Sequence, residues 1–188
     1  MIGSIQPAFF IGKIKGIDIR EHGSKNAGAA NTTITIGWGW GFFTAVFDIL
    51  KATACVLFIS YLYPNNEAYS LLPFLGGAAS ILGHNYPFYM GFKGGKGTAS
   101  AIGIILGYDP YWGFAMVGIL ILSTVVTNYL VVGTVNIHLT MLYLSVFKYD
   151  NIWIVVIVIL LTALSIFKHW ENFVRIKNGT ESTFRGAL

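Results

Sequence analysis

The stretch YDPYWGFAMVGILILSTVVTNYLVVGTVNIHLTMLYLSVF, residues 108–147, decides the fold class of this chain. It is about twice as long as the roughly 20 apolar residues that one membrane-spanning helix needs. Backbone groups in lipid must find hydrogen-bond partners within their own segment, so the stretch is expected to be helical. The polar pair Asn128-Tyr129 near its middle is a plausible turn. We therefore predict two membrane-spanning helices joined at this pair.

The composition of the whole chain supports a membrane protein. Of its 188 residues, 55% are hydrophobic and 11% are charged, whereas soluble domains carry about 25% charged residues. The net charge of +4 does not indicate nucleic acid, because the basic residues occupy short segments between apolar stretches. The single cysteine, Cys55, lies in an apolar run and indicates no disulfide or redox role. We predict one membrane-embedded domain over residues 1–188.

The other apolar stretches complete the predicted fold. Trp38–Tyr63 and Ile152–Phe167 are long, whereas Ile2–Ile14, Tyr69–Tyr86 and Thr98–Leu106 are shorter or rich in glycine. Together with the two helices of residues 108–147, they give seven transmembrane helices, of which the first and fourth are short. The predicted fold class is an all-α integral membrane protein.

The charges orient this predicted bundle. Basic residues concentrate on the cytoplasmic side of membrane proteins. With the N-terminus outside and the C-terminus cytoplasmic, the outside turns hold Glu67, Asp109 and Asp150 but only one basic residue, Lys148. An even number of helices would place the basic tail on the wrong face. The ten basic residues of the inside segments are Lys13, Lys15, Arg20, Lys25, Lys93, Lys96, Lys168, Arg175, Lys177 and Arg185.

A few polar residues fall inside the apolar stretches. Asp48 and Lys51 are three residues apart and share a helix face, so we expect an ion pair buried in the bundle. Asn136 and His138 are expected to hydrogen-bond between helices. Contact between His138 and a substrate is the alternative. A different class of protein, a small anion transporter, would use these four residues to line a pathway near the membrane midplane.

The segment around residues 91–97, GFKGGKG, is predicted to bind phosphate. Its four glycines let the backbone turn its N–H groups toward one centre, and Lys93 and Lys96 add positive charge. A helix beginning near Thr98 contributes the positive end of its dipole to the same place. The spacing does not match a Walker A loop. The alternative interpretation is a flexible basic turn that only follows the charge distribution.

Two further polar segments lie on the same predicted face. The first, residues 16–31, contains small and polar residues at a density that a short membrane loop does not need, among them Ser24 and Asn26. The third follows the last apolar stretch, where His169 and Asn172 are three residues apart and point in one direction. We predict that the three segments form one pocket for substrates that carry phosphate.

These segments resemble the PlsY family, the acyl-phosphate:glycerol-3-phosphate acyltransferases of bacterial membranes. The matching strings are GSI…IGKIKGIDIREHGSKNAGAAN, LGHNYPFYMGFKGGKGTAS and HWENFVRIKNGTE, in family order and over nearly the whole chain. The resemblance implies seven helices, an outside N-terminus and an inside active site. It also implies a multi-pass protein of the bacterial cytoplasmic (inner) membrane that acts in phospholipid biosynthesis.

The resemblance further implies the reaction. An acyl group passes from acyl phosphate to the 1-hydroxyl of glycerol 3-phosphate, giving lysophosphatidic acid and phosphate, without a metal or organic cofactor. The implied partners are these substrates and membrane lipid, with no nucleic acid and no protein partner. Either His169 or a phosphate of a substrate accepts the proton of the attacking hydroxyl, and the resemblance does not decide between them. By position the catalytic residues are Ser24, Lys96, His169 and Asn172, and the substrate-binding residues are Gly91, Phe92, Lys93, Gly94, Gly95, Gly97, Asn26, Asn31, His84, Asn85, Lys25 and Arg175.

The chain departs from the family pattern at three positions. Gln6 replaces an early proline, Lys25 replaces a glycine, and Ile34 replaces an arginine that is expected to contact the phosphate of the acceptor. A charge-assisted contact of that kind contributes about 1.5–3 kcal/mol. Either Lys25 substitutes for the arginine, or the acceptor is a different hydroxyl compound, or the activity is weaker. Lys168 preserves the charge of the basic residue that usually precedes the tail histidine.

Overall fold

The structure is a computed structural model that describes residues 1–64 and 71–187. Every regular element in those two ranges is helical, in agreement with the predicted fold class. The acidic Glu67 and the start of the predicted Tyr69–Tyr86 stretch lie outside the described residues. The α-helices are α1 Pro7–Ile14, α2 Ala29–Ile36, α3 Trp38–Leu62, α4 Leu71–Asn85, α5 Thr98–Tyr108, α6 Pro110–Thr127, α7 Leu130–Phe147 and α8 Ile152–Lys177.

Four of the described helices, α3, α6, α7 and α8, are long and apolar enough to cross a membrane. The turn predicted at Asn128 is confirmed, because α6 ends at Thr127 and Asn128 adopts the left-handed conformation with φ of 67°. Helix α5 has 11 residues, which at 1.5 Å per residue is about 16 Å, roughly half of the hydrocarbon thickness. The length of α5 therefore agrees with the short fourth span that the sequence predicts.

The N-terminal segment is less regular than predicted. Residues Ile2–Ser4 form a 3₁₀ turn, the chain is extended at Ile5 and Gln6, and the eight residues of α1 begin at Pro7. Eight residues span about 12 Å, so α1 alone is too short to cross the bilayer. The segment packs tightly on α4, since a Cβ at Gly3 would lie 2.3 Å from the carbonyl oxygen of Ser80.

Helix α2 lies in a segment that the sequence analysis treats as a loop. It packs on the start of α3, where a Cβ at Gly41 would lie 1.8 Å from the hydroxyl of Thr33. Gly37 joins the two helices with φ of 123°, a conformation open to glycine. Close packing on α3 therefore stabilises α2, whose mixture of polar and apolar residues does not by itself predict a helix.

Small residues also allow α5 to pack into the centre of the bundle. A Cβ at Gly103 would lie 2.2 Å from the carbonyl oxygen of Ile49 on α3, and one at Gly77 of α4 would lie 2.7 Å from Ile104. Close approach at small residues is the usual way in which membrane helices associate. The tight packing fixes the start of α5, which is where the site lies. The buried core around it comprises Val56, Phe74, Ala78, Ile81, Ala101, Ile102, Ile104, Ile105, Met116, Ile137, Met141, Leu144, Ile154, Val158 and Leu161.

The predicted polar contacts inside the bundle have mixed outcomes. The ion pair is confirmed, with 2.7 Å between Lys51 Nζ and Asp48 Oδ1. Asn136 donates to the hydroxyl of Ser123 on α6 at 2.8 Å, so this interhelical bond is confirmed. The same prediction is wrong for His138, because the carbonyl of Thr134 on its own helix lies 2.9 Å from Nδ1 and satisfies it.

Candidate active site

A cavity of about 350 Å³ opens where α2 and α5 begin and α8 ends. It brings together all three polar segments, since Ser24 of the first, Lys96 of the second, and His169 and Asn172 of the third line its wall. All four residues that the resemblance marks as catalytic therefore share one space. The other polar residues and glycines of the wall are Gly23, Asn26, Gly28, Asp48, His84, Gly97, Thr98, Thr134, Arg175, Thr180, Glu181 and Ser182.

The side chains of Lys96 and Asn172 meet across the cavity. Lys96 Nζ donates to Asn172 Oδ1, and Asn172 Nδ2 donates to Glu181 Oε1 at 2.6 Å. The carboxylate can only accept, so it fixes which end of the amide faces the lysine. Burial, and then the positive charge of Arg175, lower the pKa of Lys96 to about 8.

The chain after α8 folds back over the cavity. Gly179 adopts φ of 67°, and the turn brings Glu181 Oε2 to 2.6 Å from Arg175 Nε. The outer nitrogen Nη2 of Arg175 is buried without a hydrogen-bond partner, and Arg175 lines the cavity. Glu181 is the last residue of the third matching string, HWENFVRIKNGTE, but is not one of the predicted site residues.

His169 lies where the cavity meets an apolar groove. It is 7% exposed, and its Nδ1 lies 2.9 Å from the carbonyl oxygen of Ser165. Nδ1 must donate to that oxygen, which leaves Nε2 as the acceptor nitrogen. A groove of about 90 Å³ between α7 and α8 shares Val131, Thr134 and His169 with the cavity. The histidine thus borders both a polar and an apolar space.

Two residues of the first segment that the sequence predicts to bind substrate do not line the cavity. Asn31 is fully buried. Its Oδ1 accepts from Ser24 N–H at 2.7 Å, and its Nδ2 donates to the carbonyls of Ile19 and Asn26 at 2.8 Å. Asn31 therefore shapes the loop that presents Ser24 and Asn26. Lys25 is exposed outside the cavity, so nothing in the structure places its charge where the arginine is missing.

The sequence predicts that the glycine segment turns its N–H groups toward one centre. This prediction is wrong. The N–H groups of residues 91–95 donate to backbone carbonyls between residues 84 and 90, because the loop folds back on the end of α4. Within the segment only Lys96 and Gly97 line the cavity. Gly97 has φ of 89° and is the N-cap of α5, whose first residues line the cavity with N–H groups that have no partner within the helix. The predicted binding residues that lie outside the wall are Gly91, Phe92, Lys93, Gly94, Gly95 and Asn85.

The structure adds site elements that the sequence analysis missed. The start of α2, Gly28 to Ala30, lines the cavity opposite the start of α5, and Ile34 of α2 lies in the same wall. The signal for α2 was weak, because its helix is only eight residues long. Within residues 1–64 and 71–187 no group of three or more His, Cys, Asp or Glu is arranged to hold a metal ion.

The described helices surround a cavity lined by a lysine, an arginine and the starts of two helices, next to an apolar groove, which is the pattern of a membrane protein with a site for anionic groups. The chain belongs to the glycerol-3-phosphate acyltransferase family, whose sequence profile matches residues 1–179. It is therefore an acyltransferase and an integral membrane protein.

Individual relatives agree with this membership. Glycerol-3-phosphate acyltransferase 1 of Oceanobacillus iheyensis is 41% identical, over 94% of this chain and 86% of the relative. The glycerol-3-phosphate acyltransferase of Bacillus subtilis is 35% identical, over 96% of this chain and 91% of the relative. The fold is similar to crystal structures of PlsY, an integral membrane glycerol 3-phosphate acyltransferase. The glycerol 3-phosphate form gives a TM-score of 0.87 at 31% identity, covering 97% of this chain and 90% of that one. The lysophosphatidic acid form gives 0.84 at 30% identity, covering 98% and 91%.

Proposed function

We propose that this chain transfers a fatty acyl group from acyl phosphate to the 1-hydroxyl of glycerol 3-phosphate within the cavity. The hydroxyl oxygen attacks the acyl carbon, the bond from that carbon to the phosphate oxygen breaks, and lysophosphatidic acid and phosphate leave. The observation that carries the proposal is the meeting of Ser24, Lys96, His169 and Asn172 from three distant segments in one cavity. An acyl phosphate is already activated, so positioning and charge stabilisation suffice.

The cavity offers two places for phosphate. At the start of α5, free N–H groups and the ammonium of Lys96 favour binding of an anion. We assign this place to the leaving phosphate. At the start of α2, Gly28 to Ala30 face the same space. The guanidinium of Arg175 lines the cavity, and although it is paired with Glu181, its Nη2 has no hydrogen-bond partner. We assign the second place and Arg175 to the phosphate of the acceptor.

His169 is suited to take the proton of the attacking hydroxyl. The carbonyl of Ser165 holds its Nδ1–H, which leaves the acceptor nitrogen Nε2 for substrate. The apolar groove beside His169 suits the first part of the acyl chain, because it opens from the cavity between α7 and α8. His138 also lines this groove, so we assign it to the acyl chain rather than to the phosphates.

The proposal also covers the membrane orientation of the protein, its domain organisation and its cellular location. We propose seven membrane elements in one domain over residues 1–188, with the N-terminus outside and the cavity and C-terminus facing the cytoplasm of a bacterium. The ion pair between Lys148 and Asp109 supports this arrangement, since both residues belong to predicted outside turns at the end of α5 remote from the cavity. The proposed partners are acyl phosphate, glycerol 3-phosphate and the lipid of the cytoplasmic membrane.

A second candidate keeps the donor but changes the acceptor. It is favoured by Ile34, an apolar side chain in the cavity wall at the position where the family pattern has an arginine. An anion transporter has less support, because Asp48 and Lys51 are paired and Asn136 is bonded to Ser123. The polar cavity also lies at one end of the helices rather than near their middle.

Purified protein in detergent or nanodiscs tests the proposal. With acyl phosphate and glycerol 3-phosphate, we expect release of inorganic phosphate together with lysophosphatidic acid in equal amounts. Glycerol and other hydroxyl compounds serve as competing acceptors, and Lys148→Ala on the opposite face is the control variant. Phosphate release with a different acylated product would favour the second candidate, and no acylated product with any acceptor would refute the function.

A further inference from the structure

A buried polar network extends from Asp48 and His84 in the cavity wall to Lys51 behind it. Lys51 Nζ is 2.7 Å from Asp48 Oδ1, 2.7 Å from the carbonyl oxygen of Ile5 and 3.0 Å from His84 Nδ1. The ammonium group hydrogen-bonds to Ile5 and contacts His84, and its contact with Asp48 is an ion pair. Asp48, Lys51 and His84 are 1%, 4% and 3% exposed. The three residues are therefore almost completely buried, and the two charges form an ion pair with each other.

The contacts of His84 decide which ring nitrogen carries the hydrogen. Two donors, Lys51 Nζ at 3.0 Å and Gln6 Nε2 at 3.4 Å, approach Nδ1. Asp48 Oδ1 is also 3.4 Å away, but its carboxylate is paired with Lys51 at the shorter distance. The shortest of these contacts is with the Lys51 ammonium, which can only donate, so we assign the ring hydrogen to Nε2. The ring is thereby fixed in one tautomer and one orientation.

The other edge of the His84 ring supports the glycine segment. A Cβ at Gly95 would lie 2.0 Å from His84 Nε2, so the ring packs directly on the backbone of this residue. The carbonyl oxygen of His84 accepts from Gly95 N–H at 3.1 Å and from Gln6 Nε2 at 2.6 Å. Gly95 immediately precedes Lys96. The backbone position of Lys96 therefore depends on where His84 is held.

We propose that Asp48, Lys51 and His84 form a positioning network that holds Lys96 in reach of Asn172 and the substrates. The inference rests on the proposed function, because its main effect is on acyl transfer. A buried ion pair of this kind contributes little net stability, and well-packed apolar residues often replace one without loss. Its place behind the Lys96 segment gives the charged groups a different role, which is to fix geometry. Lys51 acts through His84 and does not line the cavity.

The kinetic test separates positioning from substrate binding. In His84→Phe the ring volume stays but the acceptor for Lys51 is lost, and we expect kcat to fall by up to about a hundredfold, the cost of a displacement near 1 Å. The KM for glycerol 3-phosphate should change little. His84→Asn restores an acceptor near the position of Nδ1 and should recover much of the lost kcat. His22→Phe, at an exposed histidine outside the cavity, is the matched control.

The double variant Asp48→Asn, Lys51→Met tests the part of the network that does not contact the glycine segment. It removes both charges together, so neither remains buried and unpaired, and the protein should still fold. We expect a fall in kcat with unchanged KM and an unchanged melting temperature. A rise in KM with kcat preserved would show that the residues contact substrate, and unchanged kinetics in both this variant and His84→Phe would overturn the proposal.

Hydrogen exchange gives a readout that does not depend on activity. The N–H of Gly95 is protected by the carbonyl of His84, which remains in every variant, so faster exchange over residues 91–98 in His84→Phe reports loss of support by the ring. Unchanged exchange there would contradict the network. If the wild-type protein shows no acyl transfer, the proposed function is refuted. The exchange experiment would still decide whether His84 holds residues 91–98 in place.

Discussion

The ammonium of Lys96 donates to the side-chain oxygen of Asn172, although the two residues are 76 positions apart in the chain. The amide of Asn172 is held from its other end by Glu181 at 2.6 Å. A cation, an amide and a carboxylate are thus joined in a row at the start of α5. This row places one positive charge at the point where we expect phosphate to develop charge as it leaves.

Removing the Lys96 side chain should abolish most acyl transfer. A charged hydrogen bond to a leaving phosphate contributes about 1.5–3 kcal/mol or more in a site shielded from water, so Lys96→Ala should lower kcat/KM by at least about tenfold to a hundredfold. Lysophosphatidic acid formation measures the effect, with Lys148→Ala as the control. Equal rates for the two variants would show that Lys96 has no part in the reaction.

The rate should fall as the pH rises through about 8. The pKa of Lys96 is lowered to about 8 by burial, so the ammonium form that binds phosphate is present below this pH and lost above it. The profile of kcat/KM reports ionisation in the free enzyme. Lys96→Arg should move the alkaline limb to higher pH, because arginine stays charged. An alkaline limb that does not respond to this substitution would assign it to another group.

The carboxylate of Glu181 should be needed for activity although we give it no contact with substrate. It accepts from Asn172 and from Arg175, both at 2.6 Å. In Glu181→Ala the amide of Asn172 loses its orienting partner, and we expect kcat to fall by about tenfold or more. Glu181→Gln should lose less, because its carbonyl oxygen can keep one of the two bonds. Exposed Glu171→Ala serves for comparison, and the same loss there would point to a general effect of charge.

An arginine at position 34 should improve the use of glycerol 3-phosphate. Ile34 lines the cavity on α2, and a guanidinium there could form a charge-assisted contact with the acceptor's phosphate worth about 1.5–3 kcal/mol. Ile34→Arg should therefore lower KM by roughly tenfold, whereas the apolar Ile34→Met should not. If KM for glycerol 3-phosphate stays the same in Ile34→Arg, Arg175 alone suffices or the acceptor phosphate lies elsewhere.

A single methyl group at Gly95 should damage the site. The added Cβ would lie 2.0 Å from His84 Nε2, so either the ring or the glycine segment must move, and we expect both activity and melting temperature to fall. The matched control is Gly118→Ala on α6, where a Cβ meets nothing within 4 Å. Alanine also favours a helix over glycine by up to about 1 kcal/mol. Gly118→Ala should therefore be neutral or slightly stabilising, and a wild-type rate in Gly95→Ala would contradict the tight packing.

Several features of the fold could be predicted from patterns among residues that are close together in the sequence. Residues 108–147 predicted two helices and the turn at Asn128, and the three-residue spacing of Asp48 and Lys51 predicted their ion pair. Both predictions need only helix geometry and the cost of polar groups in lipid. The glycine segment was misread for a related reason. Four glycines permit many backbone paths, and the contacts of residues 84–90 select one in which the N–H groups are already used.

The amino-acid sequence by itself determined the class of protein and the segments that carry its chemistry, because apolar length, charge distribution and the three polar strings are local properties of the chain. Only the tertiary structure decided which polar residues share a space. Asn31 and the first glycines support the wall, whereas Lys96, His169, Asn172 and the missed Glu181 form it. Helix packing sets these distances, and packing depends on contacts such as Gly103 on Ile49 and Gly3 on Ser80 that join residues far apart in the chain.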